Sequence, residues 1–245
     1  MGSSEVRIGP FVSPALRGGW GVRLASTILC TSGLMAEAKI ARRAGFAAVV
    51  GAGDYERTVR LVDAAMPHAE CLVSFGIAGA LAPGLRAGDV ILSHEVIGDD
   101  RRWISDGLSI ERVSELAEEI GAIVGPVWGA SRICATQSEK AQAFAETGAL
   151  AVDLESAVVA RAAAAAGIPF LVMRAIADPA TRGLPPAALL PLAKDGRPAL
   201  TRITASVLRN PLQIKGLLGL AREARQALTA LAEPAHTLSR LLAAL

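Results

Sequence analysis

Short β-prone apolar runs alternate with helical patterns of about ten residues along most of the chain, and few architectures accommodate that alternation. Residues 25–30, 47–50, 71–75, 90–96, 122–129, 149–154 and 170–175 read as strands. Between them, residues 34–44, 55–66, 110–120 and 138–147 read as helices, the last with Ser138 as N-cap, followed by an Ala-rich helix to Ala166. Strands separated by helices predict a largely parallel sheet covered on both faces, hence an α/β fold built as a three-layer α/β/α sandwich. From about residue 199 the character changes. Three helical patterns, 199–209, 212–231 and 234–245, carry Leu at three- and four-residue spacings, punctuated by Pro211 and Pro234. They predict a C-terminal helical extension (199–245) packed on the α/β domain (25–198), behind an N-terminal segment (1–24). Membrane or a lipid-like ligand is the alternative cover for their apolar surface.

With 52% apolar and 20% charged residues the chain can bury a core, which excludes intrinsic disorder. Twenty-five Lys+Arg against 23 Asp+Glu leave a net charge of +2, without the concentrated basic face of a nucleic-acid binder. Cys30, Cys71 and Cys134 are widely spaced, with no CxxC and no Cys/His cluster. That argues against zinc and for reduced thiols, hence a cytoplasmic protein. No metal or organic cofactor is expected. Residues 1–21 hold no signal-peptide core, and Arg161 and Arg174 interrupt the best apolar stretch, so no membrane span is expected. A mean hydropathy of +0.41 leaves peripheral contact with the inner membrane open.

Four motifs invite a chemical reading. Gly51-Ala52-Gly53 follows a strand as a dinucleotide fingerprint would, but Glu56 fills the third glycine position and would set a carboxylate against the pyrophosphate. A nicotinamide-dinucleotide site is discarded. Gly76-Ile77-Ala78-Gly79 ends the third strand, where open α/β sheets bind ligands and where glycine admits close approach; a tight structural turn fits equally. Asp153 and Glu155 start the Ala-rich helix, where its dipole favours carboxylates, and Asp178 precedes Pro179, so each also reads as a helix-terminal residue.

In order along the chain, Gly76-Ile77-Ala78-Gly79, Gly88-Asp89-Val90, Ala151-Val152-Asp153-Leu154-Glu155 and Arg174-Ala175-Ile176-Ala177-Asp178 resemble the purine nucleoside phosphorylase/nucleosidase superfamily. The likeness covers residues 25–179 and is greatest to methylthioadenosine/S-adenosylhomocysteine nucleosidases. Within the superfamily the chain is most similar to the hopanoid-associated phosphorylase (adenosylhopane nucleosidase) branch. The resemblance implies a mixed, nucleoside phosphorylase-like sheet, release of adenine from an adenine nucleoside, lipid-linked in that branch, and assembly as a homodimer.

Roles follow from the same resemblance. Asp178 corresponds to the aspartate that protonates or hydrogen-bonds purine N7; a free Asp titrates near ~3.9, so it must be raised toward neutrality, by burial against Ile176 and Leu154. Ala177 stands where the family usually has Ser. Glu155 corresponds to the glutamate holding the ribose hydroxyls, Leu154 to a Met on the sugar face, and Asp153 to a further acidic residue. Gly76, Ile77, Ala78 and Gly79 form the substrate-side turn, and Ile133 falls where backbone meets the adenine edge. Glu37 is the candidate for activating water, one residue short of the family spacing. Phosphate is the alternative nucleophile. The Arg and Ser of phosphorylases are Ser74 and Ile77 here, leaving Arg42, Arg57 or loop amides to compensate. A methylthioadenosine/S-adenosylhomocysteine nucleosidase, a purine nucleoside phosphorylase and a non-catalytic nucleoside- or lipid-binding relative are the other readings. The retained Asp178 and Glu155 count against the last.

Overall fold

The computed structural model describes residues 28–244, and within them ten strands join in one mixed sheet. In chain order the elements are β1 (Ile28–Ser32), α1 (Met35–Arg43), β2 (Ala47–Val50), α2 (Tyr55–Ala65), β3 (Cys71–Ala80), β4 (Val90–Ser93), β5 (Glu95–Ile97) and β6 (Arg102–Ile104). They continue with α3 (Ile110–Ile120), β7 (Ile123–Val124), β8 (Val127–Gly129), α4 (Gln137–Thr147), β9 (Ala151–Asp153), α5 (Ser156–Ala166) and β10 (Phe170–Asp178). Three helices close the chain: α6 (Leu200–Arg209), α7 (Ile214–Ala230) and α8 (Ala232–Ala243). The sheet runs β6-β5-β8-β9-β3-β10-β4-β7, with β1 joined to β3 and β2 to β1. The pairs β3·β10, β1·β3 and β1·β2 at its centre are parallel; β10·β4, β3·β9 and β5·β6 are antiparallel.

Strands buried on both faces need apolar residues at successive positions, which is why β1, β3 and β10 read as continuous runs. Cys30, Val73, Phe75, Leu171 and Met173 pack toward α1, α3, α7 and α8. Their neighbours Leu29, Leu72, Phe170, Val172 and Ile176 pack on the other face with α2 and α5. Burying each such side chain contributes about 1.5–3 kcal/mol, enough in sum to carry the polar groups described below. Ala227, Leu231, Ala235, Leu238 and Leu242 complete the first of these cores, so α7 and α8 cover the sheet directly. No helix among the described residues is long and apolar enough to cross a membrane.

Several boundaries differ from the sequence reading, each for a local reason. The run 90–96 is two strands: the Ser93 hydroxyl accepts the Glu95 amide and donates to its carbonyl, breaking the ladder at His94. The run 122–129 also divides, at Gly125-Pro126, where proline offers no amide and a Cβ on Gly125 would strike Leu150 at 2.4 Å. The cap of α4 is Thr136, not Ser138, because Glu139 reaches back to the Thr136 amide and closes a capping box. The last strand continues through Asp178. That excludes a helix-terminal role for Asp178. Pro234 lies inside the first turn of α8, where its missing amide costs nothing. Residues 25–27 of the first expected strand lie outside the described residues.

Candidate active site

A fork in the sheet creates the site. The edge of β3 opposite β10 pairs with β1 only as far as Thr31 against Ser74, and with β9 only from Gly79 against Val152. Between these points the backbone of Ile77 has no strand partner on that edge, and buried amides must still be satisfied. Two side chains do this: the Ile77 N–H donates to Glu37 Oε1 at 2.8 Å, and Arg174 Nη1 donates to the Ile77 carbonyl at 3.3 Å. Gly76 leaves the space this requires, since a Cβ there would lie 2.5 Å from the Glu37 carboxyl carbon. The second oxygen of Glu37 accepts the Leu34 amide at 2.7 Å.

Around this fork four ionised or ionisable groups are buried together. Arg174, 1% exposed, forms an ion pair with Asp153 (Nε to Oδ2, 3.1 Å) without a hydrogen bond from Nε, and its Nη2 donates to Glu155 Oε2 at 3.3 Å and to the Ser74 hydroxyl at 2.6 Å. The Ser156 hydroxyl donates to Asp153 and lies 2.9 Å from Ser74 Oγ. Asp153 Oδ1 also accepts the amides of Glu155 and Ser156 at 2.8 and 2.7 Å, so this carboxylate caps α5 while it anchors Arg174. Gly33 ends β1 directly against Glu155; a Cβ on it would come within 2.6 Å of Oε1.

Burial pushes Glu155 up to about 7 against the pull of Arg174, with Asp153 and Glu37 adding to the rise. Burial likewise raises Glu37, opposed by Arg174 and by the amides of Ile77, Leu34 and Gly33. Burial disfavours charge on Arg174 too, but Asp153, Glu155 and Glu37 outweigh it and hold the guanidinium protonated. Three carboxylates facing one cation make the fork acidic.

Asp178 forms a second centre, at the other end of the same stretch of β3. It ends β10 opposite Gly79, beyond a register shift after Ile176, and a Cβ on Gly79 would sit 3.3 Å from Oδ2. Its partner is Lys140 of α4, whose ammonium donates to Asp178 and to the carbonyls of Pro179 (2.9 Å) and Arg182 (3.0 Å). Burial raises Asp178, while Lys140 and then Arg182 pull it back. The expected setting among apolar neighbours therefore needs correcting: a fully buried cation faces the carboxylate. Arg182 in turn pairs with Glu223 of α7.

The structure thus brings Glu37, Asp153, Glu155, Gly76 and Ile77 together, and sets Gly79 and Asp178 beside them. Ala78 is 5% exposed and packs in the α2/α5 core rather than facing the fork. Leu154 lines a cavity of about 420 Å³ with Tyr55, Trp103, Ser131 and Arg161. Ile133 is 40% exposed, one residue before Cys134, which feels the charges of Lys140 and Asp178. Arg42 and Arg57 are turned to backbone carbonyls of Ala48 and Val50, and Ser74 is spent on Arg174 and Ser156. Sequence reasoning missed Arg174, Lys140, Ser156 and Gly33. A lone Arg in an otherwise apolar strand was one available signal, because such a cation requires buried anions. Lys140 shares a helical stripe with Ala143 and Phe144, which was another.

The sequence pattern of the phosphorylase superfamily matches residues 32–209, a span holding both centres from Glu37 to Arg182. A 5′-methylthioadenosine/S-adenosylhomocysteine nucleosidase of Haemophilus influenzae (strain 86-028NP) is 28% identical over 141 residues, 49% of this chain and 60% of that protein. That of Actinobacillus succinogenes is 30% identical over 129 residues, 44% and 56% of the two chains. The chain therefore spans about six tenths of the length of the curated relatives it matches. Among solved structures, the Neisseria meningitidis nucleosidase in complex with methylthio-immucillin-A superposes with a TM-score of 0.63 at 17% identity, over 90% of this chain and 100% of that one. The futalosine hydrolase of Helicobacter pylori strain 26695 superposes with a TM-score of 0.59 at 13% identity, over 86% and 97%. The structural likenesses speak for the fold, and the sequence match over most of the chain settles the family: it belongs to the phosphorylase superfamily.

Proposed function

We propose that this protein is a nucleosidase that cleaves the N-glycosidic bond of an adenine nucleoside and releases adenine, with water as nucleophile. The observation that carries the reading is the acidic fork, Glu37, Asp153 and Glu155 around a single committed Arg174. Breaking the bond from C1′ to the purine leaves positive charge on the sugar, and fixed carboxylates favour that charge as it develops. Glu155 accepts the ribose hydroxyls, and Asp178 supplies a proton to purine N7 so that neutral adenine departs. Water forms the new bond to C1′ and gives its proton to Glu37, whose two oxygens each keep a lone pair beyond their amide bonds.

The same charge arrangement disfavours phosphate. A phosphate dianion needs cations or free amides, whereas Arg174 is already shared by two carboxylates and Arg42 and Arg57 bind backbone carbonyls. The curated relatives support methylthioadenosine or S-adenosylhomocysteine as substrates. The motif resemblance supports adenosylhopane, a lipid-linked nucleoside, as the finer assignment, with action in the cytoplasm or at the inner-membrane surface, and as a homodimer.

Adenine release from methylthioadenosine and from an adenosyl lipid, each with and without phosphate, tests the proposal. Release is expected without phosphate, falling about 10²–10⁴-fold in Asp178→Asn and substantially in Glu37→Gln. A wild-type rate in Asp178→Asn removes the proton-donor assignment, and strict phosphate dependence removes water. Tight binding with no turnover of either substrate turns the protein into a non-catalytic relative.

A further inference from the structure

The C-terminal helices cover the sheet unequally. α7 and α8 contribute core residues, whereas no residue of α6 is buried. Leu200 is 71% exposed, Leu208 77% and Leu212 92%, and Ile214 and Leu218 continue the exposed apolar row into α7. Large apolar side chains left exposed this densely along one segment mark an interaction surface.

Charge decides what covers it. From Pro198 through Arg222 the chain carries Arg202, Arg209, Lys215 and Arg222 and not one Asp or Glu; just outside it Arg197 pairs with Asp195 and Glu223 with Arg182. A second copy docking symmetrically would bring these four cations together with four identical ones. The segment 1–27 carries Arg7, Arg17 and Arg23 against Glu5, so it offers no complementary charge either. Exposed apolar residues among an excess of cations match the headgroup boundary of an anionic bilayer, where Leu enters the acyl region and Arg and Lys reach phosphates. We infer that α6 and the start of α7 form a docking surface for anionic membranes.

The surface is continuous with the rim of the site. Asp178 and α6 are joined by residues 179–199, and this strap touches both centres: Lys140 holds the carbonyls of Pro179 and Arg182, and the Gly196 carbonyl accepts the Met35 amide beside Gly33. Gln213, between α6 and α7, bonds Ser206 and the Ala187 amide and fixes the helix pair to the strap. The docking surface rests on exposure and charge alone, independently of the catalytic reading.

Co-sedimentation of the full chain with vesicles tests it, using phosphatidylcholine alone and phosphatidylcholine with one third phosphatidylglycerol. Binding is expected only to the anionic vesicles and should weaken in high salt. Arg202→Gln, Arg209→Gln and Lys215→Gln should each cost about five-fold in vesicle affinity. Leu208→Asp with Leu212→Asp should abolish binding while adenine release from methylthioadenosine stays at the wild-type rate, since both side chains are solvent-exposed. No binding to anionic vesicles overturns the inference. So does a shift of the Leu208→Asp, Leu212→Asp protein from dimer to monomer in sedimentation velocity without vesicle binding, which would give the face to a second copy. Vesicle binding that appears only when residues 1–27 are removed would give it to that segment. Vesicle binding without adenine release would leave the docking surface standing and remove the enzyme.

Discussion

Glu155 and Asp178 are both deeply buried acids near the Gly76–Gly79 stretch of β3, yet their surroundings are wired in opposite ways. At the fork, Glu37, Asp153 and Glu155 divide one guanidinium among them. At the end of β10, Asp178 has a lysine of its own, which it shares only with neutral carbonyls. Fully ionised, the first group carries a net charge of −2 and the second none. Titration in the first is therefore coupled: burial and the charges of Asp153 and Glu37 push Glu155 up against Arg174, and it takes up a proton at about 7. The second is a private pair, in which burial favours the protonated acid and a single ammonium opposes it. The fork suits stabilisation of a cation, and the Asp178–Lys140 pair suits delivery of a proton. A single kind of side chain is given two tasks by its company.

The largest expected break in this comparison is Arg174→Met. Removing one partner of a buried ionic group costs about 3–5 kcal/mol, and with about 2–4 °C per kcal/mol in a chain of this size, thermal unfolding should begin roughly 10 °C lower. An unchanged melting temperature would mean the three carboxylates do not depend on that cation. Next comes the pH dependence of stability. Glu155 binds its proton more tightly folded than unfolded, so its contribution is fully present below about 4.5 and is lost as pH rises to about 7. Stability should fall across that window by about 3 kcal/mol, while adenine release rises as the same carboxylate ionises. Denaturant midpoints and initial rates measured from pH 4.5 to 8 read both trends; trends of the same sign would contradict the assignment.

Smaller effects should separate the two centres sterically. Gly33→Ala places a methyl 2.6 Å from Glu155 Oε1, whereas Gly79→Ala places one 3.3 Å from Asp178 Oδ2. The first should lower kcat/KM by about 10²-fold and the second only a few-fold, because an ångström of misplacement is already severe at a reacting centre. Equal losses would show that space at the two acids is not what differs. The smallest effect is expected from Lys140→Met, read in the pH profile. Lys140 holds Asp178 down against the rise that burial causes, so its removal raises the acid, and the limb where activity is lost by deprotonation should move to the alkaline side. A limb that stays in place would leave Lys140 a purely structural role.

Much of the layer architecture was legible because burial on both faces leaves an unbroken apolar record in β1, β3 and β10. That record does not name partners. The runs 90–96 and 122–129 looked like one strand each, yet each serves two places in the sheet: β4 joins β10 and β7, and β5 joins β6 and β8. Pro126 was the punctuation that hydropathy obscured. The site was legible only as a set of ordered motifs. Nothing local in Asp178-Pro179 or Asp153-Leu154-Glu155 shows that these carboxylates are buried or which cations meet them. Arg174 stood in the sequence mainly as an interruption of an apolar run, and Lys140 as one charge on a helix. Their roles arise from contacts across tens of residues, above all from the gap between β1 and β9 along one edge of β3.

The packing of α7 and α8 has a bearing on biosynthesis. Cys30 and Phe75 are made early, but the face they belong to is sealed by Leu231, Leu238 and Leu242. Until those residues leave the ribosome, that side of the sheet stays greasy and open, and Glu223 is not there to hold Arg182. Between the emergence of β1 and that of α8 the nascent chain carries apolar surface of the kind that promotes self-association.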